Sequence, residues 1–153
     1  MQPLFLKCIL ILSLIASCPY LAQSDELFIC KNISLEEPII TQKVDNIKSK
    51  TSNSFRPGDR ITAIYYFQPT GDEDFVKFRW MRCLGGRRFE EKSHMHHMRN
   101  ISTETNYVAF SWLIFDSSFF DQILGSKFAG DWVVEVYINN EKLKEGEFII
   151  KPD

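Results

Sequence analysis

Phe75-Val76-Lys77-Phe78-Arg79-Trp80-Met81 alternates apolar and basic side chains, and its reading decides the fold. Successive side chains of an extended chain point to opposite faces. Val76, Phe78 and Trp80 therefore share one face, and Lys77 and Arg79 share the other. This is the pattern of a strand with one face on a core and one in water. Gly85-Gly86 follows, and paired glycines tolerate the positive φ angles of a two-residue hairpin turn. The chain is expected to return through Arg87 to Lys92 as the partner strand.

The same signals recur upstream. Leu27 to Ile33 reads as a short first strand, with Glu37-Pro38-Ile39-Ile40 continuing it after a bend. Thr41 to Ser54 is polar and reads as a loop or poorly paired edge. Arg56-Pro57-Gly58-Asp59 is a turn, since proline presets φ and glycine accepts positive φ. The next strand runs from Ile61 to Phe67, with Ile61, Ala63, Tyr65 and Phe67 on one face. Pro69-Thr70-Gly71-Asp72 turns the chain into the central stretch, and Asp72-Glu73-Asp74 lacks the spacing of a calcium loop.

Downstream, Tyr107 to Phe115 is a continuous aromatic and aliphatic run, expected to be a strand buried on both faces. Asp116 to Ala129 has the spacing of a short helical turn within a connection. Trp132, Val134, Val136 and Ile138 then alternate with Val133, Glu135 and Tyr137. Asn139-Asn140 is a hairpin signal because asparagine tolerates the left-handed region. Leu143 to Lys151 pairs back. About seven strands with regular turns and no long helix predict an all-β fold, an antiparallel immunoglobulin-like β-sandwich.

The ends and the composition set the context. Residues 1–24 carry Lys7, an apolar run from Cys8 to Ala16, and Pro19. That run is shorter than the roughly 20 residues of a bilayer span and has the form of a secretory signal peptide. Cleavage before Asp25 would release a soluble periplasmic or secreted domain spanning 25–153. Ile15-Ala16-Ser17-Cys18 alternatively resembles a lipobox, in which Cys18 would be acylated and tether the domain to a membrane. The chain holds 18 basic and 20 acidic side chains, and removal of Lys7 leaves 17 against 20, a net charge of −3. This argues against nucleic-acid binding. Thirteen Phe, five Tyr and three Trp suit an aromatic sheet core.

Cys30 and Cys83 are the cysteines beyond the signal segment. In an oxidising compartment they read as a disulfide, closing a loop whose chain-entropy value is roughly 4 kcal/mol; two buried free thiols are the other reading. The antibody order of Cys, Trp, Cys is absent, because Cys83 follows Trp80 by only three residues and falls on the opposite face.

Glu37-Pro38-Ile39, Ile61-Thr62-Ala63-Ile64-Tyr65-Tyr66-Phe67, Phe78-Arg79-Trp80, Gly130-Asp131-Trp132-Val133-Val134-Glu135-Val136 and Phe148-Ile149-Ile150 occur in that order. The series resembles a family of bacterial envelope domains with immunoglobulin-like sandwiches. That resemblance implies a binding or accessory role, with no catalytic residues to carry over.

Two constellations bear on function. Ser93-His94-Met95-His96-His97-Met98 holds all three histidines of the chain. His94, His96 and His97, with thioether help, could hold zinc or copper, or form a loop titrating near pH 6.5. From Lys77 to Arg99, seven basic residues stand against Glu90 and Glu91. Arg82, Arg87 and Arg88 are the candidates for meeting an acidic protein or envelope component; pairing with Glu across the strands is the competing reading. No nucleophile elbow, zinc-protease helix or phosphate-cradling loop is present. The chain therefore reads as a non-catalytic binding domain without a cofactor, and alternatively as a metal-binding envelope protein.

Overall fold

The computed structural model describes residues 25–35, 39–40, 46–115 and 127–152, with backbone alone at 39–40. The segment expected to direct export, with Cys18, and most of the connection expected to hold a helical turn, lie outside the described residues. Among the described residues the order is β1 (Glu26–Lys31), β2 (Ile39–Ile40), α1 (Ile47–Lys50), β3 (Ser54–Phe55), β4 (Arg60–Phe67), β5 (Glu73–Leu84), β6 (Arg87–Arg99), β7 (Tyr107–Ile114), β8 (Gly130–Ile138) and β9 (Glu141–Ile150). No helix among them is long and apolar enough to cross a membrane.

The strands form a β-sandwich. A four-stranded sheet runs β1-β4-β7-β2 and a five-stranded sheet runs β3-β9-β8-β5-β6. The seven long strands take an immunoglobulin arrangement, with β1, β4 and β7 facing β9, β8, β5 and β6. All pairings are antiparallel except β3 with β9, where Ser54 and Phe55 run parallel to Ile149 and Ile150. β3 and α1 arise within the stretch expected to be a loop. Ile47 supplies the reason for α1, since it is buried beside Cys30 and Ile64 in an apolar cluster on the outer side of β1 and β4.

The period-two reading holds through the main core. Val76, Phe78 and Trp80 of β5 meet Ile61, Ala63, Tyr65 and Phe67 of β4, with Trp132, Val134, Val136 and Ile138 of β8 in the same cluster. Trp80 packs edge-on to Phe148 at 5.9 Å, and Trp132 stacks on Phe148 at 6.2 Å. β7 is buried on both faces, as its unbroken apolar run requires. Ala109 and Leu113 join the inter-sheet core, and Val108 and Phe110 join the outer cluster. Both hairpin turns have the geometry that their residues favour. Gly85 and Gly86 have φ of 56° and 76°, and Asn139 and Asn140 have 49° and 70°.

The expected Cys30–Cys83 disulfide is corrected, because both cysteines are free. Cys30 lies on β1 in the outer cluster of one sheet. Cys83 lies on β5 in the other sheet, on the face opposite Trp80. Cys30 is fully buried, its Sγ 3.9 Å from the Ile47 carbonyl oxygen. Burial pushes its thiol pKa up.

The sandwich has two unlike seams. At one, β9 closes on β1: a Cβ built at Gly146 would lie 2.7 Å from Ile29 Cδ1. At the other, side chains of β6 reach the edge of β7, and the candidate site is found there.

Candidate functional site

β6 ends the five-stranded sheet, so one side of its backbone has no neighbouring strand among the described residues. It is 13 residues long and carries the whole histidine stretch, which is therefore a strand and not a loop. The pairing with β5 shifts register between Trp80 and Met81, so that Trp80 faces Lys92 and Met81 faces Glu90. Glu91 is the residue left over, forming a bulge that resets the facing of the strand.

Alternation then separates the histidines. His94 and His96 point toward the seam with Lys92, while His97 points outward. His97 stacks on Phe75 at 4.2 Å and pairs with Glu73. The predicted set of His94, His96 and His97 thus divides between two faces and does not fit one metal ion. Among the described residues no group of three or more His, Cys, Asp or Glu stands close enough to hold one.

The inward row makes a polar contact along β7. His94 Nδ1 lies 2.5 Å from Ser111 Oγ, which also accepts a hydrogen bond from Trp80 Nε1 at 2.9 Å. His96 Nε2 lies 3.2 Å from the Phe110 carbonyl oxygen, and Lys92 Nζ donates to that of Trp112 at 3.1 Å. Among the described residues, β2 pairs with β7 at Val108 and Ala109. Farther along that edge, the carbonyls of Phe110 and Trp112 have side chains of β6 as partners. Burial lowers the pKa of both His94 and His96; Lys92 and His96 add charge repulsion at His94.

Beside this row stands Arg60 of β4. Its guanidinium lies 4.9 Å from the centre of the Trp112 ring, and its Nη1 donates to Ser34 Oγ at 3.1 Å. Its Nε is buried without a hydrogen-bond partner. Burial, followed by the charge of Arg60, lowers the Lys92 pKa. One tryptophan thus holds two cations, one over its ring and one at its carbonyl.

The three arginines expected to meet a partner divide differently. Arg88 is held within the molecule, with Nη1 3.0 Å from Glu135 and 3.1 Å from Glu145. Its pKa is raised and that of Glu145 falls to about 2, with their mutual hydrogen bonding the main cause in each. Arg82 turns toward the core face opposite Trp132, its side chain 13% exposed and 3.9 Å from Glu91. Arg87 is exposed at the hairpin tip. The cross-strand pairing with glutamate, the competing reading, therefore describes Arg88 and Arg82.

Sequence reasoning overlooked Arg60, Ser111 and Glu135. Arg60 and Ser111 gain their meaning from the opposite sheet, and nothing local marks them. Glu135 had a signal: a carboxylate alternating with core valines on an inner strand must either face water or be paired. It is 5% exposed and is met by Arg79, Arg88, Lys142 and Tyr137.

Near the hairpin tip, an open groove of about 460 Å³ is lined by Cys83, Arg88, Asp131 and Glu147 among others. Its charges are mixed in sign. No family model matches the chain, and no curated protein matches it significantly.

Proposed function

We propose that this chain is an exported, non-catalytic β-sandwich that binds a protein or envelope component by accepting an extended segment along the open edge of β6. The observation that carries the reading is the edge itself: 13 residues of strand ending a sheet, with no neighbouring strand on one side among the described residues. Among the described residues, four of the six exposed large hydrophobic residues, Phe75, Leu84, Phe89 and Met95, lie on the β5–β6 hairpin, and the other two are Ile114 and Ile149. The far edge, β9, is partly covered by β3 and is lined by Lys and Glu, which discourage pairing.

Export, and a tether through Cys18 if that residue is acylated, are proposed from residues 1–24. The resemblance to envelope domains supports the same setting. The absence of catalytic motifs supports a binding role, and the net charge of −3 that remains once Lys7 is removed supports a protein or envelope partner over nucleic acid. The metal-binding alternative draws no support from histidines that face apart.

Site-specific photo-crosslinking tests this reading. A benzophenone side chain replaces Met95, which is 65% exposed, and a control replaces exposed Glu104 in the turn after β6. The expected result in native cells is one discrete adduct from position 95 and none from 104. Equal labelling from both positions, or none from 95, contradicts it.

A further inference from the structure

We infer that the β6 edge selects an extended partner segment bearing an acidic side chain, which is received by Arg60 and Lys92 beside Trp112. The inference rests on the edge-binding reading and specifies its chemistry. A strand added to β6 continues the pleat of the sheet, so every second side chain joins the row of Lys92, His94 and His96. That row faces the seam and contains no acid. At the Trp112 end of the row, Arg60 lies over the indole ring and Lys92 bonds its carbonyl oxygen.

Charge pairing elsewhere on the hairpin sharpens the contrast. Arg79 meets Glu90, Arg82 meets Glu91, Arg88 meets Glu135 and Glu145, and Arg99 meets Glu73. Among the described residues no carboxylate forms an ion pair with Arg60 or Lys92. Arg60 and Lys92 meet the same tryptophan, one at its ring and one at its carbonyl oxygen; the charge of one disfavours the other, and an incoming carboxylate reverses that sign. Arg60 retains guanidinium donors beyond the one used on Ser34, and Lys92 retains two of its three protons for such a group. Burial first, and then the charge of Arg60, lowers the Lys92 pKa.

The test is fluorescence polarisation with three labelled peptides, TVTVEVTVT, TVTVQVTVT and TVTVKVTVT, on the intact chain in low salt. The glutamate peptide is expected to bind about tenfold more tightly than the glutamine peptide, the scale of one charge-assisted hydrogen bond, with the lysine peptide weakest. Arg60→Gln/Lys92→Gln should bring the glutamate peptide to the level of the glutamine peptide. Lys92→Glu, a second variant in case the first folds poorly, should shift preference toward lysine. Equal affinity for all three peptides, or an unchanged preference in the variants, overturns the selectivity and leaves edge binding standing. No binding by any of the three overturns the edge reading together with the inference. Inorganic phosphate that displaces the glutamate peptide at equal concentration would overturn a peptide partner in favour of a free oxyanion.

Discussion

At the scale of single residues, Ser111 links three elements. Its hydroxyl is buried and is shared by Trp80 from β5 and His94 from β6. Ser111→Ala leaves both ring nitrogens facing a methyl group, and an unsatisfied buried polar group costs about 1–3 kcal/mol. A urea titration should show that loss as a lower midpoint with unchanged slope; an unchanged midpoint would mean that water replaces the hydroxyl at no cost. His94 and His96 add a pH dependence whose sign is fixed. Their folded pKa values lie below the unfolded value near 6.5, so the unfolded chain binds more protons between the two. Stability from this source is fully present above about pH 6.5 and is lost as pH falls through the folded values. Urea midpoints should therefore drop from pH 7.5 to pH 5.5, and His94→Gln/His96→Gln should flatten the profile in that window. The lowered Glu145 pKa acts separately, present above about pH 4.5 and lost further into acid. None of these partners was legible in the sequence. His94 and Ser111 are 17 positions apart, and only the packing of two sheets brings them to 2.5 Å.

At the scale of elements, the strands of the hairpin explain what the basic count meant. Lys77 and Arg79 facing away from Phe78 was legible from period two alone, as was the turn at Gly85-Gly86. The bulge at Glu91 was not, because either strand of a hairpin can hold an extra residue without a local sequence mark. It decides that Glu90 faces outward to meet Arg79 at 2.5 Å. The outer face of the five-stranded sheet thus becomes a charge network across β6, β5, β8 and β9, centred on Glu135. Removing one member of a paired, desolvated group costs more than the pair contributes, and partial exposure of Arg88 moderates the loss. Arg88→Glu should lower stability by about 1–2 kcal/mol through repulsion by Glu135 and Glu145. Arg87→Glu at the tip should be near neutral. Thermal melts of the two single variants check this, and equal effects would contradict the assignment of Arg88 to the network.

At the scale of the whole molecule, the sequence was sufficient for the sandwich and insufficient for its seams. Core alternation in β4, β5 and β8 is repeated often enough to specify two facing sheets. Which strands lie at the margins depends on non-local pairing, and so the edge status of β6 had no local signature. The cysteine pair failed as a predictor for the same reason: a spacing of 53 residues says nothing about which sheet each residue joins. The β1–β9 seam carries its own test. Gly146→Ala places a methyl against Ile29 Cδ1, and crowding in a packed seam costs about 1–3 kcal/mol. Ile29→Val removes that atom, so the double variant should recover part of the loss. Strict additivity in urea titrations would contradict the close approach.

The claim that β6 is a working edge is tested most directly by amide hydrogen exchange, read by mass spectrometry, with and without excess TVTVEVTVT. The account predicts slowed exchange in peptides covering Arg87–Arg99, with little change in β9. Protection confined to β9, or no change in β6 while the peptide is bound, would contradict it.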